Sequence, residues 1–357
     1  MMFKERVERI QSALEKGQAF LVTGDTNRFY FTGFHSSAGS VLFTPDETVF
    51  LIDFRYYERA AATVDGCRVR LCKRLFAEVG EICAAHGVKE LFIEADVISV
   101  NRLAAMRAAL PDLSISDSDR FDRLVEEMRT VKNAKELSLI REAQRMTDET
   151  FVYILNHIAP GRSEREIMLD MEFFMRRMGS EGVSFDFIVV SGKNSSLPHG
   201  EPTDKLVEVG DFVTMDFGAV VGGYHSDMTR TIAVGSATDE MRLVYDTVLK
   251  AQLESEKAIR AGAVCQDIDK IARDIINAAG YEGCFGHGLG HSVGVEIHES
   301  PAFSPNCATV LRPGTIMTVE PGIYLENKFG VRIEDMVYVT EEGSLNLTAS
   351  PKNLIIL

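Results

Sequence analysis

The chain has 357 residues, of which 45% are hydrophobic and 25% charged, and this balance is typical of a soluble globular protein. The 53 acidic and 38 basic residues give a formal charge of −15, and no run of Lys or Arg forms a basic stripe, so we expect no nucleic-acid partner. No segment approaches the roughly 18 apolar residues of a membrane span, and the charged first residues do not resemble an export signal, so we expect a cytoplasmic protein without membrane association.

The length predicts two domains, because a domain usually contains about 100 to 200 residues. In the first domain, helical patterns alternate with short apolar runs that are typical of strands, which predicts an α/β layer. The helical residues are 7–14 and 102–110, and the strand-like residues are 19–22 and 49–52. The Ser- and Asp-rich residues 112–122 resemble the exit from this domain, which places the domains at residues 1–125 and 126–357.

The second domain opens with helical patterns. Residues 124–145 are charged and carry apolar positions three or four apart, so we expect one long connecting helix. A second helix is expected over residues 146–157, before Pro160. A third is expected after Ser163, with Glu166 at the capping-box position.

Strand patterns dominate the rest of the second domain. Strands are expected over residues 211–218, 224–234, 315–320 and 330–340, and helices over residues 239–261 and 267–280. No short-period repeat is present, which excludes a solenoid. The second domain is therefore predicted to be α+β around a mostly antiparallel sheet.

Two of these strands contain an aspartate among apolar residues. Side chains alternate between the faces of a strand, so Asp216 shares a face with Thr214, and Asp227 shares one with Thr229. A buried carboxylate is costly unless it is paired, hydrogen-bonded or bound to a metal. Alone, either aspartate would more often lie at a sheet edge or in an ion pair, so the interpretation depends on further acids.

Glu320 and Glu334 supply those further acids. Glu320 ends an apolar strand before Pro321, which favours extended backbone, and Glu334 is expected on the same strand face as Arg332. Carboxylates brought together repel one another and raise each other's pKa unless cations neutralise them. Oxygen ligands with one imidazole suit Mn²⁺, Co²⁺ or Zn²⁺, and these residues do not choose among the three ions.

The imidazole is expected from residues 286–299, where three of the chain's eight histidines are separated by glycines. They are His287, His291 and His298. Glycine lets the backbone approach a ligand and bend where other residues resist. A single histidine would more often be a core or surface residue, whereas three so spaced indicate a site.

These motifs resemble those of the aminopeptidase P and prolidase family of metallopeptidases, in the M24B group. The resemblance covers nearly the whole chain, with the motifs in the family's order and spacing. The motifs are Asp53-Phe54-Arg55-Tyr56, Pro198-His199-Gly200, Met215-Asp216-Phe217-Gly218, Ser226-Asp227-Met228-Thr229-Arg230, residues 287–298, Val319-Glu320-Pro321-Gly322 and Arg332-Ile333-Glu334-Asp335. The resemblance implies a creatinase/prolidase N-terminal α/β domain, which is ribonuclease H-like, followed by an α+β pita-bread catalytic domain.

The resemblance implies two divalent metal ions per chain, with Mn²⁺ favoured and Co²⁺ or Zn²⁺ as alternatives. Asp216 would chelate one ion, and His291 and Glu320 would bind the other. Asp227 and Glu334 would bridge both ions. A metal-bridging hydroxide is the implied nucleophile, because a metal lowers the pKa of bound water from about 15.7 to roughly 7, and Glu320 is the implied proton shuttle.

The resemblance also implies residues that bind the substrate. His199 and His298 match the family's histidines that contact the substrate and stabilise the oxyanion. His287 matches the histidine beside the proline pocket, and Arg332 matches the arginine that organises the C-terminal side of the substrate. Tyr324 is a further candidate for the lining of the pocket.

The implied activity is hydrolysis of the Xaa-Pro bond at the N-terminus of short peptides by a homodimer. The residues leave open whether the enzyme is an Xaa-Pro aminopeptidase or an Xaa-Pro dipeptidase. Methionine aminopeptidases share the five ligands but usually lack the N-terminal domain, and creatinase-like relatives work without the metals. The alternative from another class is a catalytically inactive pita-bread protein that binds peptides, and the presence of all five ligands argues against it.

Overall fold

The computed structural model describes residues 2–357. The chain divides into two compact units, one ending at Met128 and the other covering Arg129–Leu357, which confirms the expectation of two domains. Among the described residues, no helix has the length and apolar character needed to cross a membrane.

The first unit is an α/β layer, as predicted. In chain order its elements are α1 (Met2–Ala13), β1 (Gln18–Val22), α2 (Asp25–Thr32), β2 (Ser40–Phe43), β3 (Thr48–Ile52), α3 (Phe54–Thr63), β4 (Arg68–Leu71), α4 (Leu75–Ala85), β5 (Glu90–Ile93), α5 (Val100–Ala109), β6 (Ser114–Ser116) and α6 (Arg120–Thr130). The strands form one sheet in the order β4-β3-β2-β1-β5-β6, in which only β2 is antiparallel to its neighbours. Val79 and Met106 of the helices pack with Leu21 and Leu51 of the strands in one buried core.

The second unit is α+β and its strand pairs are antiparallel, as predicted. After a short 3₁₀ helix is set aside, its elements are α7 (Ala134–Leu155), α8 (Glu164–Arg177), β7 (Ile188–Ser191), β8 (Phe212–Phe217), β9 (Val220–Val221), β10 (Tyr224–His225), β11 (Met228–Ala233), α9 (Asp239–Ala258), α10 (Cys265–Ala278), β12 (Gly290–Ser292), β13 (Glu299–Phe303), β14 (Ile316–Val319), β15 (Gly322–Leu325), β16 (Phe329–Arg332), β17 (Asp335–Val339) and β18 (Ser344–Asn346). The main sheets have the orders β11-β8-β7 and β13-β12-β14-β17-β18. The helix expected after Ser163 is confirmed as α8, and its capping box with Glu166 is present.

The helices that open the second unit differ from the prediction. The expected helix over residues 124–145 is broken after Thr130, and residues 146–157 are not a separate helix, because α7 continues through them to Leu155. Asn133 begins α7: its side chain accepts a hydrogen bond from Glu136 N (3.0 Å), and the Glu136 carboxylate accepts one from Asn133 N (2.8 Å). The apolar spacing runs on across the break, so this capping box was the only local signal of it.

The prediction that residues 112–122 form the exit from the first unit is wrong. They contain β6, which pairs in parallel with β5, and the first turn of α6. Ile115 is buried, and the ring of Phe121 stacks on Phe20 with centroids 4.8 Å apart. Two apolar side chains therefore anchor a stretch whose Ser and Asp content is otherwise typical of a loop.

Two predicted strands are interrupted beside the acids. The strand expected over residues 224–234 is divided into β10 and β11 around Asp227, and the strand expected over residues 330–340 is divided into β16 and β17 around Glu334. The prediction that Glu334 and Arg332 share the face of one continuous strand is therefore wrong. Glu334 lies between β16 and β17, and its backbone N–H donates to Thr229 O (3.1 Å). Thr229 belongs to β11, so this hydrogen bond joins Glu334 to the β11-β8-β7 sheet.

Candidate metal centre

The structure brings the five predicted metal ligands to one place in the second unit. Oxygen or nitrogen atoms of Asp227, His291 and Glu334 all lie within 4.8 Å of one another. His291 Nε2 is 3.6 Å from Asp227 Oδ2 and 3.4 Å from Glu320 Oε1. Asp216 is close enough to raise the pKa of Asp227 and of Glu334 by charge repulsion.

Backbone geometry explains how separate strands deliver these groups. Asp216 lies within β8 and His291 within β12, whereas Asp227 and Glu334 lie in strand interruptions and Glu320 directly follows β14. A residue outside the ladder can turn its carboxylate toward a common point instead of along the normal of its sheet.

Two glycines allow the close approach of backbone segments near the ligands. A Cβ atom on Gly218 would lie 1.8 Å from Ser226 O, next to Asp227. A Cβ atom on Gly290, next to His291, would lie 2.1 Å from Thr318 O. No side chain fits at either position, so these glycines set the spacing of the ligand-bearing segments.

The carboxylates of this cluster have oxygens available for cations. Asp216 Oδ1, Asp227 Oδ1 and Glu334 Oε1 are buried and accept no hydrogen bond from the described residues. Burial, followed by repulsion from neighbouring carboxylates, raises the pKa of both Asp227 and Glu334 well above their usual values. Burial likewise raises the pKa of Glu320 to about 8. Buried, unsatisfied acids are costly, and a divalent ion would satisfy and neutralise them.

The orientation of His291 suits a metal ligand. Its Nδ1–H donates to Ser292 O (3.1 Å), which leaves the Nε2 lone pair facing the carboxylates. A hydrogen bond that fixes the second ring nitrogen is the usual companion of a metal-binding histidine. Burial, with the nearby His298 as a smaller cause, lowers the pKa of His291 to about 4, so the imidazole is neutral as a ligand must be.

Arg332 is committed to protein groups within the site. Its guanidinium donates from Nη2 to Asp216 Oδ2 (2.6 Å) and from Nε to Thr229 Oγ1 (3.0 Å). Nη1 donates to Tyr324 Oη (2.9 Å) and to Pro198 O (3.1 Å). Arg332 therefore orients Asp216 and fixes the backbone beside His199, while its remaining surface lines the cavity over the acids.

The predicted histidines line that cavity, which has a volume of about 930 Å³. His199, His287 and His298 contribute to its wall together with the predicted ligands Asp216, Asp227, His291 and Glu320. Tyr324 lies behind the wall, where its hydroxyl is 2.9 Å from His287 Nε2. Burial lowers the pKa of His287 to about 4 and raises that of Tyr324 to about 12, so both groups are neutral at pH 7.

Two threonines that the sequence did not single out support the ligands. Thr229 Oγ1 donates to Glu334 Oε2 (2.7 Å), and Thr318 Oγ1 donates to Glu320 Oε1 (3.2 Å) while accepting from His291 N (2.9 Å). Each threonine lies two positions from a predicted ligand on its own chain segment, and that spacing was the available signal. Rim residues such as Arg165 and Phe185 carried no such signal, because only the fold places them at the cavity.

Three buried acids, a fourth acid that is partly exposed and one neutral histidine at an open cavity are typical of metal-dependent hydrolases. Residues 138–341 match the family model of Metallopeptidase family M24, and residues 6–131 match that of the Creatinase/Prolidase N-terminal domain. The chain belongs to metallopeptidase family M24.

Similar proteins cover nearly the whole chain. The uncharacterized peptidase YqhT of Bacillus subtilis is 40% identical, with 94% of this chain and 95% of that protein aligned. A structure described as the Xaa-Pro dipeptidase from Bacillus anthracis superposes with a TM-score of 0.94 at 41% identity, covering 99% of this chain and 100% of that one. A structure described as the X-Pro aminopeptidase from Thermotoga maritima superposes with a TM-score of 0.92 at 34% identity, covering 99% of both chains.

The raised acid pKa values predict an unusual pH dependence of stability in the metal-free protein. The Glu320 carboxyl keeps its proton up to a pKa of about 8 in the folded chain, but loses it near 4.5 when unfolded. Its contribution to the free energy of unfolding is therefore present below about pH 4.5 and lost as the pH rises to about 8. Calorimetry with a chelator should show a melting temperature that falls through this window more steeply than that of Glu320→Gln. Parallel curves for the two proteins would contradict the placement of Glu320.

Proposed function

We propose that this chain is a dinuclear-metal exopeptidase that hydrolyses the Xaa-Pro bond at the N-terminus of short peptides. The observation that carries the proposal is the set of unsatisfied buried carboxylate oxygens beside a correctly oriented histidine at the floor of the cavity. The Bacillus anthracis structure is described as an Xaa-Pro dipeptidase and the Thermotoga maritima structure as an X-Pro aminopeptidase. Both descriptions support a preference for proline.

Asp216, Asp227, His291, Glu320 and Glu334 would hold two divalent ions, Mn²⁺ by preference. Such ions supply Lewis acidity and lower the pKa of a bound water to roughly 7, which makes it a nucleophile at neutral pH. Glu320, which lines the cavity, would accept the proton of the attacking water and deliver it to the leaving proline nitrogen.

The cavity histidines complete the proposed site. His298 lies against His291, with ring centroids 4.4 Å apart, and His199 lines the same cavity, and we assign both as donors to the carbonyl oxygen of the scissile bond. His287 is held by Tyr324 and forms the neutral wall against which a proline ring packs. Because proline nitrogen has no N–H, recognition of this residue depends on the shape of that wall.

Assembly and location are part of the same proposal. We infer a cytoplasmic homodimer from the likeness to the aminopeptidase P and prolidase family, and short proline-containing peptides as the substrates.

The test is hydrolysis of Ala-Pro and Ala-Pro-Ala by protein reloaded with Mn²⁺ after chelation. We expect cleavage at the Ala-Pro bond with Mn²⁺ and none in excess chelator. The ratio of kcat/KM for the two peptides decides between dipeptidase and aminopeptidase. Failure on both peptides in fully loaded protein, with Ala-Ala-Ala as the control peptide, would contradict the proposed function.

A further inference from the structure

A second group of buried charges lies behind the histidines of the site. We call it the Glu299 cluster, and it consists of Glu299, Arg129, Lys132 and Ser292. Lys132 Nζ donates to Glu299 Oε2 (3.0 Å) and Arg129 Nη2 to Glu299 Oε1 (2.8 Å). The side chains of Lys132 and Glu299 are only 1% and 3% exposed.

Glu299 also fixes the backbone that leads to His298. Its Oε1 accepts hydrogen bonds from Val295 N (3.0 Å) and Glu296 N (3.2 Å). A Cβ atom on Gly294 would lie 2.4 Å from Glu299 Oε2, so the turn closes directly onto this carboxylate. The position of His298 is thus determined by a turn that wraps around the side chain of its own neighbour.

Lys132 connects the cluster to His291 from the other end of the same turn. Its Nζ donates to Ser292 Oγ (2.9 Å), and Ser292 O is the acceptor of the His291 Nδ1–H. The residues at both ends of the turn are therefore tied to one buried ammonium and one buried carboxylate. The rings of His291 and His298 meet in an edge-to-face contact between these two ends.

The Glu299 cluster is expected to contribute little to the free energy of folding. Burying two cations and an acid incurs desolvation that their attraction often fails to exceed, and apolar side chains of similar volume serve stability as well or better. Although burial opposes it, the charges of Lys132 and Arg129 hold the pKa of Glu299 below its usual value, so the carboxylate is ionised. Because stability alone does not explain buried charges at this place, we relate their effect to what they contact, which is Ser292 and the backbone of the turn between the histidines.

We propose that Lys132 and Glu299 are positioning residues that set the orientation of the His291 ring and its separation from His298. Neither residue touches the cavity, and they act only through Ser292 and the turn. Part of this inference rests on the proposed function, because it takes His291 as a metal ligand and His298 as a substrate-binding group. The orientation of the rings is nevertheless a property of the metal-free chain.

The test compares Lys132→Met and Glu299→Gln with the wild type. Substitution of a group that orients a metal ligand typically weakens metal binding 10- to 100-fold, so calorimetric titration should show an Mn²⁺ dissociation constant raised by about that factor. In metal-free protein labelled with ¹⁵N-histidine, the ring nitrogens of His291 should move away from the pattern of a proton fixed on Nδ1. A purely structural role would lower the melting temperature and leave both readings unchanged.

Lys270→Met is the matched control, since Lys270 also pairs with an acid, Asp274, but on the exposed surface of α10. The inference is overturned if the folded variants keep the Mn²⁺ dissociation constant within threefold and the His291 ring signals unchanged. It is also overturned if neither variant folds, because the cluster is then structural. If the wild type binds no Mn²⁺, the proposed function fails and the ring signals alone decide the role of Lys132 and Glu299.

Discussion

Asp227→Asn is expected to lower kcat/KM for an Xaa-Pro peptide by on the order of 10³-fold, which corresponds to about 4 kcal/mol of transition-state stabilisation. The neutral amide keeps the shape of the side chain but removes a charge from the centre of the ligand cluster. Metal content and peptide hydrolysis should therefore fall together. Mass spectrometry of the bound metal and steady-state kinetics measure the two effects separately.

The stability of the same variant distinguishes loss of function from loss of fold. Burial and neighbouring acids raise the pKa of Asp227, so an uncharged amide should leave the metal-free protein at least as stable at neutral pH. Asp274→Asn, on the exposed face of α10, is the control and should change neither activity nor metal content. Wild-type kinetics in Asp227→Asn would rule out its role as a ligand.

Gly218→Ala is expected to destabilise the protein by about 3 kcal/mol, the upper end of the range for overpacking a buried site. The new Cβ would lie 1.8 Å from Ser226 O and 2.9 Å from Ser184 Oγ, and the backbone carbonyl cannot be displaced without moving Asp227. The variant should therefore lose metal affinity as well as stability. Chemical denaturation and Mn²⁺ titration are the measurements.

Gly182→Ala is the matched glycine control, because nothing lies within 4 Å of its added Cβ and its φ is not positive. It should change the free energy of unfolding by less than about 0.5 kcal/mol, as surface substitutions usually do. If Gly218→Ala were as mild as this control, the contact between the two ligand-bearing segments would not be as close as the structure has it.

The candidate ligands could be singled out in the sequence because acids inside apolar strands conflict with the local pattern, and such conflicts are typical of functional sites. Asp216 stands between Met215 and Phe217, and Glu320 follows Val319, so each acid is conspicuous in its own segment. The capping box of Ser163 and Glu166 could also be predicted, because its two residues are close to each other in the sequence. The structure contains this capping box as predicted.

Features that depend on distant pairing could not be read in this way. The strand interruptions at Asp227 and Glu334 arise where two sheets meet, and nothing within either segment indicates them. The partner of Glu299 is Lys132, which is 167 positions away, and the partner of Arg332 is Asp216, which is 116 positions away. From the sequence alone, such a charged residue is expected to contact solvent or substrate. In the structure its partner is another side chain of the same chain.

The most direct measurement is a titration of the chelator-treated chain with Mn²⁺ while hydrolysis of the Ala-Pro bond is followed. We expect no hydrolysis without metal and a rise in rate that ends when two ions are bound per chain, with Asp227→Asn inactive throughout. Full activity in the metal-free chain, or no hydrolysis after saturation with Mn²⁺, would contradict hydrolysis at two metals held by Asp216, Asp227, His291, Glu320 and Glu334.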